Sequence, residues 1–322
     1  MIVTVGTFNL NNLFSRFNFK ATISGIKKKT AALSVRYEFS DESNYRIRTF
    51  RGRLVKAKKP KDTTAVAERI LTMDVDVMAV QEVENIDILK EFNRKYLGGL
   101  YRYQVLIEGN DPRLIDVGLL SRLPVGAVTS FQTAVNPDRP DTRVFSRDLL
   151  EVKILNPSRS KTLFTLYNNH LKSHFGDENN NGQGKIANDI RRRQQAETIR
   201  RIIAGRMRTN SRYVIVGDMN DGPGDAPLSP MLTIEGNALV NALANPAETR
   251  PAKAESGGQD PASSAWTYRN KRRGQPPEHK LFDQIWLSPS LANGMGHSFI
   301  DRRSKHGGDG SDHDPAWIEL DV

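Results

Sequence analysis

Apolar and polar residues alternate along several short stretches of the chain, and each stretch runs directly into a polar cluster. Val3-Thr4-Val5-Gly6-Thr7-Phe8 has the two-residue period of a strand and leads into Asn9-Leu10-Asn11-Asn12. Val75 to Val80 is a nearly continuous apolar run, as in a strand buried on both faces, and ends in Gln81-Glu82-Val83-Glu84-Asn85. Leu163 to Tyr167 leads to Asn168-Asn169-His170-Leu171-Lys172-Ser173, and Tyr213 to Val216 leads to Gly217-Asp218-Met219-Asn220-Asp221. Leu281 to Leu287 carries Asp283 inside an otherwise apolar strand. A closing strand, Ala316 to Leu320, follows Gly310-Ser311-Asp312-His313-Asp314-Pro315. Strand ends that converge on one rim of a sheet are where α/β proteins build sites.

The period changes from two to 3.6 in two places. Thr64 to Met73 is predicted as a helix capped by Thr63 or Thr64, with Val66, Ile70 and Leu71 on one face. Ile186 to Ile203 is a second helix, with Ile186, Ile190, Ile199, Ile202 and Ile203 as its apolar positions and Arg191, Arg192, Arg193, Arg200 and Arg201 largely outward. Arg269 to Arg273 reads as the polar tip of a hairpin. No apolar run is long enough to span a bilayer, and the first strand begins at Ile2, leaving no room for a leader. The chain therefore reads as cytoplasmic; a leader removed ahead of Met1 would make it secreted. No linker separates two hydrophobic patterns, so residues 1–322 are expected to form one domain, monomeric, with surface insertions.

Charge changes this picture in one region. Residues 19 to 61 hold thirteen Lys or Arg against Glu38, Asp41 and Glu42, so this segment alone carries the net +10 of the whole chain. It alternates in places, as in Tyr45-Arg46-Ile47-Arg48-Thr49-Phe50, and is predicted to be a basic β-hairpin inserted between the first strand and the first helix. A cationic hairpin that begins beside Asn9 suits salt-sensitive, non-sequence-specific contact with a phosphate backbone. None of the basic patches has the interleaved aromatics of a stacking platform for single strands. The absence of cysteine excludes disulfides, thiol nucleophiles and thiolate zinc sites.

The pair Asp312-His313 supplies the first chemistry. A carboxylate can hold a hard divalent cation, while an imidazole titrating near neutrality can take a proton from water. Together with the polar clusters above, it completes a series of six blocks: T-F-N, Q-E-V, N-H-L-K-S, G-D-M-N, F-D-Q-I-W-L-S and S-D-H. In these blocks the chain resembles the endonuclease/exonuclease/phosphatase superfamily of deoxyribonuclease I-like hydrolases, in the bacterial form. The blocks occur in that family's order from residue 7 to residue 314. The resemblance implies an α/β four-layer sandwich, in which two packed, mostly antiparallel β-sheets are flanked by helices. It also implies a phosphoesterase site dependent on Mg2+ or Mn2+ at one edge. Members cleave DNA, RNA, phosphoinositides and sphingomyelin, so the fold alone leaves the substrate open.

Hydrolysis of a phosphodiester requires neutralised non-bridging oxygens, an oriented water and a proton for the leaving alkoxide. Glu82 is the first metal ligand expected, with Asn9 offering an amide oxygen and Asp312 as third contributor. His313 is the candidate base, its tautomer fixed by Asp283. Asp218 and Asn220, two apart after a strand, are expected to bind the water or the scissile phosphate, and the family assigns the base to either this Asp or the C-terminal His. His170 would donate to a phosphate oxygen, with Lys172 as an auxiliary charge. Arg122 and Arg147 resemble groove positions of bacterial relatives and are the remaining substrate-binding candidates, or else structural ion-pair partners. Arg191-Arg192-Arg193-Gln194-Gln195-Ala196 resembles the R-x-x-Q-A helix of the same group, which suggests packing as much as substrate contact.

His174, His279, His297 and His306 match no block and read as surface or packing histidines. Asp177 to Gly182 matches the first half of a calcium loop, but its twelfth position is Asn188 instead of Glu. An Asn/Gly-rich lid is the first reading of Asp177–Asn181, and a structural Ca2+ site the second. The function expected from the sequence is a divalent-metal-dependent nuclease acting on DNA or RNA. The alternative is a phosphatase or phosphodiesterase for phosphoinositides, sphingomyelin or another small phosphoester.

Overall fold

In the computed structural model, the alternating stretches pair into two large sheets. The structure describes residues 1–14, 49–50, 53–54, 58–176, 182–208, 210–248, 265–270, 274, 276–302 and 310–322. The strands of these sheets are β1 (Ile2–Leu13), β2 (Val77–Val83), β3 (Tyr103–Leu106), β4 (Asp116–Ser121), β5 (Val125–Ser130), β6 (Leu149–Leu155), β7 (Thr162–His170), β8 (Tyr213–Asp218), β9 (Val240–Asn241), β10 (Ala247–Glu248), β11 (Asp283–Leu287), β12 (Met295–Ile300) and β13 (Ala316–Asp321). The first sheet has seven strands in the order β10-β12-β13-β1-β2-β4-β3, and the second has six, β9-β11-β8-β7-β6-β5. Only β1 with β2, β10 with β12, and β7 with β8 pair in parallel. The sheets are mostly antiparallel, as expected.

Three apolar cores make the four layers. Val3, Val5, Val77, Ala79, Leu166, Val214, Val216 and Ile285 interdigitate between the sheets. Two helices, α1 (Pro60–Met73) and α2 (Ile86–Tyr96), cover the outer face of the first sheet, with Val66, Ile70, Leu89 and Phe92 against Phe8, Met78 and Val80. A third, α3 (Gln183–Arg206), covers the second sheet, with Ile199 and Ile203 beside Tyr167 and Ile215. The central strands thus alternate between an inter-sheet core and a helix-covered core, which is why runs such as Val75 to Val80 are largely apolar.

Several expectations about helices change. The first helix starts at Pro60, four residues before the predicted start, because proline is pre-organised for the first turn and its missing N–H needs no partner there. The second predicted helix runs from Gln183, and its apolar face is narrower than predicted: Ile186 and Ile190 are exposed, while Ile199 and Ile203 are buried. Arg192, expected outward, is completely buried. Helix α2 was not anticipated; Asn85 caps it, its side chain accepting a hydrogen bond from Ile88 N at 3.0 Å. Within the basic segment, Thr49–Phe50 pairs antiparallel with Arg53–Leu54. Residues 60 and 61, placed at the end of the predicted hairpin, belong instead to the first turn of α1. Residues 19–48, 51–52 and 55–57 of that hairpin, the Asp177–Asn181 calcium loop and His306 lie outside the described residues. Among those residues no helix is long and apolar enough to cross a membrane.

Candidate active site

Register builds the centre of the site. His170 pairs with Asp218 across β7 and β8, and Asp218 with Asp283 across β8 and β11, so the three residues form one row over three neighbouring strands. Each continues the inward series of its own strand, following Leu166, Val216 or Ile285 at two-residue steps. The alternation that packs aliphatic side chains between the sheets therefore delivers an imidazole and two carboxylates at their rim. Gly217 permits the row. Its φ is 133°, and a Cβ there would stand 2.0 Å from the Asn169 carbonyl oxygen.

Glu82 reaches the site by breaking alternation. Ala79 packs in the inter-sheet core and Val80 under the helices, so strict alternation would put Gln81 inward and Glu82 outward. The register between β2 and β4 shifts between Gln81 and Val83, Glu82 has φ 60°, and its side chain lines the cleft instead. A matching irregularity occurs in β1, where Asn11 and Asn12 have φ 47° and 60°. These two asparagines hold the two carboxylates: Asn12 N donates to Glu82 Oε2 at 3.0 Å, and Asn11 Nδ2 to Asp312 Oδ1 at 2.8 Å.

Across from them, His313 Nδ1 is 2.7 Å from Asp283 Oδ2 and its Nε2 is 3.8 Å from Asp218 Oδ2. Asp218 Oδ2 also accepts from Asn9 Nδ2 at 3.0 Å and lies 3.3 Å from His170 Nε2. Asn220 N donates to Asp218 Oδ1 at 2.9 Å, and Asn220 Nδ2 to the Leu171 carbonyl at 3.1 Å. The His313 loop is fixed from behind by buried Arg69, which donates to the His313 carbonyl at 3.3 Å and pairs with Asp314 at 3.0 Å and Asp301 at 3.1 Å.

These contacts set the protonation states. Burial pushes Asp218 up to about 6, more than the charge of His313 and the hydrogen bonds from Asn9 and Asn220 pull it down. Burial alone would lower His313, but Asp283 and Asp218 beside it hold the imidazole well above its ordinary value. His170 goes the other way: burial, then the charges of Arg147 and His313, keep it neutral far below the usual histidine range. Glu82 is raised by burial and next by the neighbouring Asp312 carboxylate.

Eight sequence candidates, Asn9, Glu82, His170, Asp218, Asn220, Asp283, Asp312 and His313, come together here. Arg147 joins them: it lines the cleft, donates to the Leu171 carbonyl at 2.9 Å and pairs with Asp111 at 3.1 Å. Arg122 does not. It follows β4 at the end of the sheet opposite Glu82, where it pairs with Asp74 and lies over the Tyr101 ring. The groove assignment of Arg122 is thereby replaced by a structural one. Lys172 is also redirected, its Nζ donating to the Ser173 carbonyl at 2.6 Å and the Phe175 carbonyl at 3.1 Å. Arg269 is buried in the strand Tyr268–Asn270, not at a polar tip.

Among the cleft residues given no site role in the sequence reading are Arg113, His174, Phe282 and Tyr268. Arg113 lines the wall beside Arg147 and shares Asp111 with it, at 3.2 Å. His174, read as a packing histidine, lines the cleft and stacks on Phe282 at 5.6 Å; Phe282 in turn stacks on Tyr268 at 4.9 Å. Phe282 opens the F-D-Q-I-W-L-S block and His174 directly follows Ser173 of another, while Tyr268 lies in no block.

The cleft encloses about 1310 Å³, and its described lining carries seven carboxylates (Glu82, Asp189, Asp218, Asp221, Asp225, Glu278 and Asp312) against four Lys or Arg. An anionic phosphoester entering such a lining needs added positive charge. Among the described residues no group of three or more His, Asp or Glu is arranged as a metal cluster. Glu82 and Asp312 still fit a magnesium-type ion, which takes one or two carboxylates and keeps its waters, and their mutual repulsion is relieved by a cation between them.

Two facing sheets with convergent acids and imidazoles at one rim define a hydrolase of the two-sheet α/β sandwich class. The chain belongs to the Endonuclease/Exonuclease/phosphatase family, whose profile matches residues 6–313. The same fold is seen in an endonuclease/exonuclease/phosphatase from Bacteroides vulgatus, at 16% identity, covering 100% of this chain and 99% of that one, with TM-score 0.59. An AP endonuclease from Archaeoglobus fulgidus is similar at 15% identity, 99% and 100% coverage and TM-score 0.57. A mannosyl-6-phosphatase from Bacteroides thetaiotaomicron is similar at 16% identity, 99% and 100% coverage and TM-score 0.57. No curated protein matches the sequence.

Proposed function

We propose that the protein is a divalent-metal-dependent phosphodiester hydrolase whose substrate is nucleic acid. The observation that carries this reading is the convergence of the His170-Asp218-Asp283 row on His313, 2.7 Å from Asp283, with Glu82 and Asp312 lining the same cleft. The concentration of basic charge in residues 19–61, which follow β1 in the sequence, supports a polyanion as substrate.

Each residue then has a role. His313 donates from Nδ1 to Asp283, which fixes Nε2 toward Asp218 and the substrate. Above a pH of about 6, Asp218 is an ionised acceptor for the proton of the attacking water, while charged His313 neutralises the phosphate. Asn9 and Asn220 orient Asp218 through its two oxygens. Neutral His170 presents an N–H to the same point as the phosphate oxygens gain charge. Glu82 and Asp312 would hold Mg2+ or Mn2+, with the Asn9 amide oxygen contributing directly or through water; when bound, the ion supplies Lewis-acid neutralisation of the non-bridging oxygens. Arg147 places a buried positive charge behind them.

Incubating the protein with plasmid and with single-stranded DNA at low salt tests the reading. Cleavage is expected with magnesium or manganese and is lost in EDTA. Intact DNA under every metal would overturn it. Turnover of inositol phosphates or sphingomyelin under those conditions would establish the small-phosphoester alternative instead.

A further inference from the structure

His174 belongs to no sequence block, yet it lines the cleft. Its Nε2 lies 3.2 Å from Asp221 Oδ1, and the other oxygen of Asp221 accepts a hydrogen bond from Arg192 Nε at 2.6 Å. The side chains of Arg192 and Asp221 are 0% and 6% exposed, whereas that of His174 is 37% exposed. Arg192 is further tied to the Lys172 carbonyl at 2.9 Å, and the Asp221 carbonyl accepts from Gln284 Nε2 at 2.6 Å.

Burying an arginine and a carboxylate is an inefficient way to gain stability, because desolvation consumes most of their attraction. What the pair does achieve is a carboxylate locked in position with one oxygen directed at a cleft imidazole. A carboxylate beside an imidazole both orients the ring and favours its charged form. A histidine serving only as filler needs no such support.

The ring also has a definite place relative to the reaction centre. It stacks on Phe282 at 5.6 Å, Phe282 stacks on Tyr268 at 4.9 Å, and Tyr268 meets His313 at 5.0 Å. Two rings thus stand between His174 and His313. We propose that His174 is the contact for a second phosphate, one flanking the scissile phosphate on an oligonucleotide, with Asp221 and Arg192 as its positioning residues. The inference rests on the hydrolase reading above and deepens it: the substrate is a phosphodiester polymer, not a lone headgroup or a phosphomonoester.

The test is steady-state cleavage at fixed magnesium and varied KCl, with a short single-stranded DNA and with bis-p-nitrophenyl phosphate, which has no second phosphate. For His174→Ala, the loss in kcat/KM is expected to be about tenfold larger on the DNA than on the small diester, the size of one charge-assisted hydrogen bond. The slope of log kcat/KM against log salt should become shallower by about 0.7, as for one lost phosphate contact on a single strand. His174→Lys, which keeps a cation at the position, should recover most of both effects. Equal losses on the two substrates, or an unchanged salt slope, would show that His174 acts only through packing and would overturn the proposal. DNA cut normally by His174→Ala removes the flanking contact alone. Wild-type protein that turns over the small diester but leaves DNA intact removes the nucleic-acid reading with it.

Discussion

Asp283 and His313 meet through Oδ2 and Nδ1 at 2.7 Å, although they stand 30 residues apart, one in a strand of the second sheet and the other in the loop before the last strand of the first. Asp283 is fully buried, and its backbone N–H donates to Thr267 Oγ1 at 2.9 Å, which fixes the main chain that carries the carboxylate. Replacing it with asparagine keeps the shape but removes the charge that favours the imidazolium. Asp283→Asn is expected to lower kcat by about 100-fold or more with little change in KM. Kinetics on DNA, with circular dichroism to confirm the fold, checks this.

Glu82 and Asp312 repel one another in the cleft, and Asn11 and Asn12 hold them there. Glu82→Gln and Asp312→Asn should each raise the magnesium concentration for half-maximal activity by about tenfold or more. Magnesium should also raise the melting temperature of the wild type by mass action and do so much less for Glu82→Gln. A metal titration followed by both activity and thermal melting separates loss of the ion from loss of the fold.

Asp116 offers a pH test away from the cleft. Burial, with the nearby charges of Glu108, Asp111 and Asp148, pushes it up to about 7, against 3.8 for the ordinary group, even though Gly109 N donates to it at 2.8 Å. The folded protein holds this proton more tightly than the unfolded chain. Its stabilisation is complete below pH 3.8 and lost as pH rises through about 7. Asp116→Asn keeps an acceptor for Gly109 and cannot ionise. The melting temperature of the wild type should therefore fall relative to this variant as pH rises from 3.8 to about 7 and level off above that.

Two arginines that the sequence treats alike should behave differently. Arg122 pairs with Asp74, whose side chain is 74% exposed, so Arg122→Ala should leave kcat/KM unchanged and cost up to about 1 kcal/mol of stability. Arg147 and Asp111 are 2% and 6% exposed, and without Arg147 the buried carboxylate keeps Arg113 as a partner while the Leu171 carbonyl loses its donor. Arg147→Ala should cost more stability than Arg122→Ala, about 2 kcal/mol, and also depress activity. Denaturant melts alongside kinetics distinguish the two.

How far the molecule was legible in its sequence depends on how local each rule is. The His170-Asp218-Asp283 row could be read because every member continues a simple alternation, and because the polar clusters close strands whose apolar pattern is unambiguous. Glu82 could be named but not placed, since its direction depends on a bulge with φ 60°, which apolar periodicity does not encode. Arg192 misled helical periodicity because its burial is balanced by Asp221, 29 residues away. His174 was passed over for the same reason: nothing beside it in sequence reveals its carboxylate or the ring it stacks on.

The pairing of β1 with β13 has a consequence for biosynthesis. Asn9 emerges early in translation, but Asp312 and His313, its companions in the cleft, precede a strand that docks beside β1 only after some 300 further residues have been joined. A fragment ending before Asp312 would lack both the second carboxylate beside Glu82 and the imidazole beside Asp218. The cleft is thus completed only when residues 312–321 have come back to the strand that opens the chain.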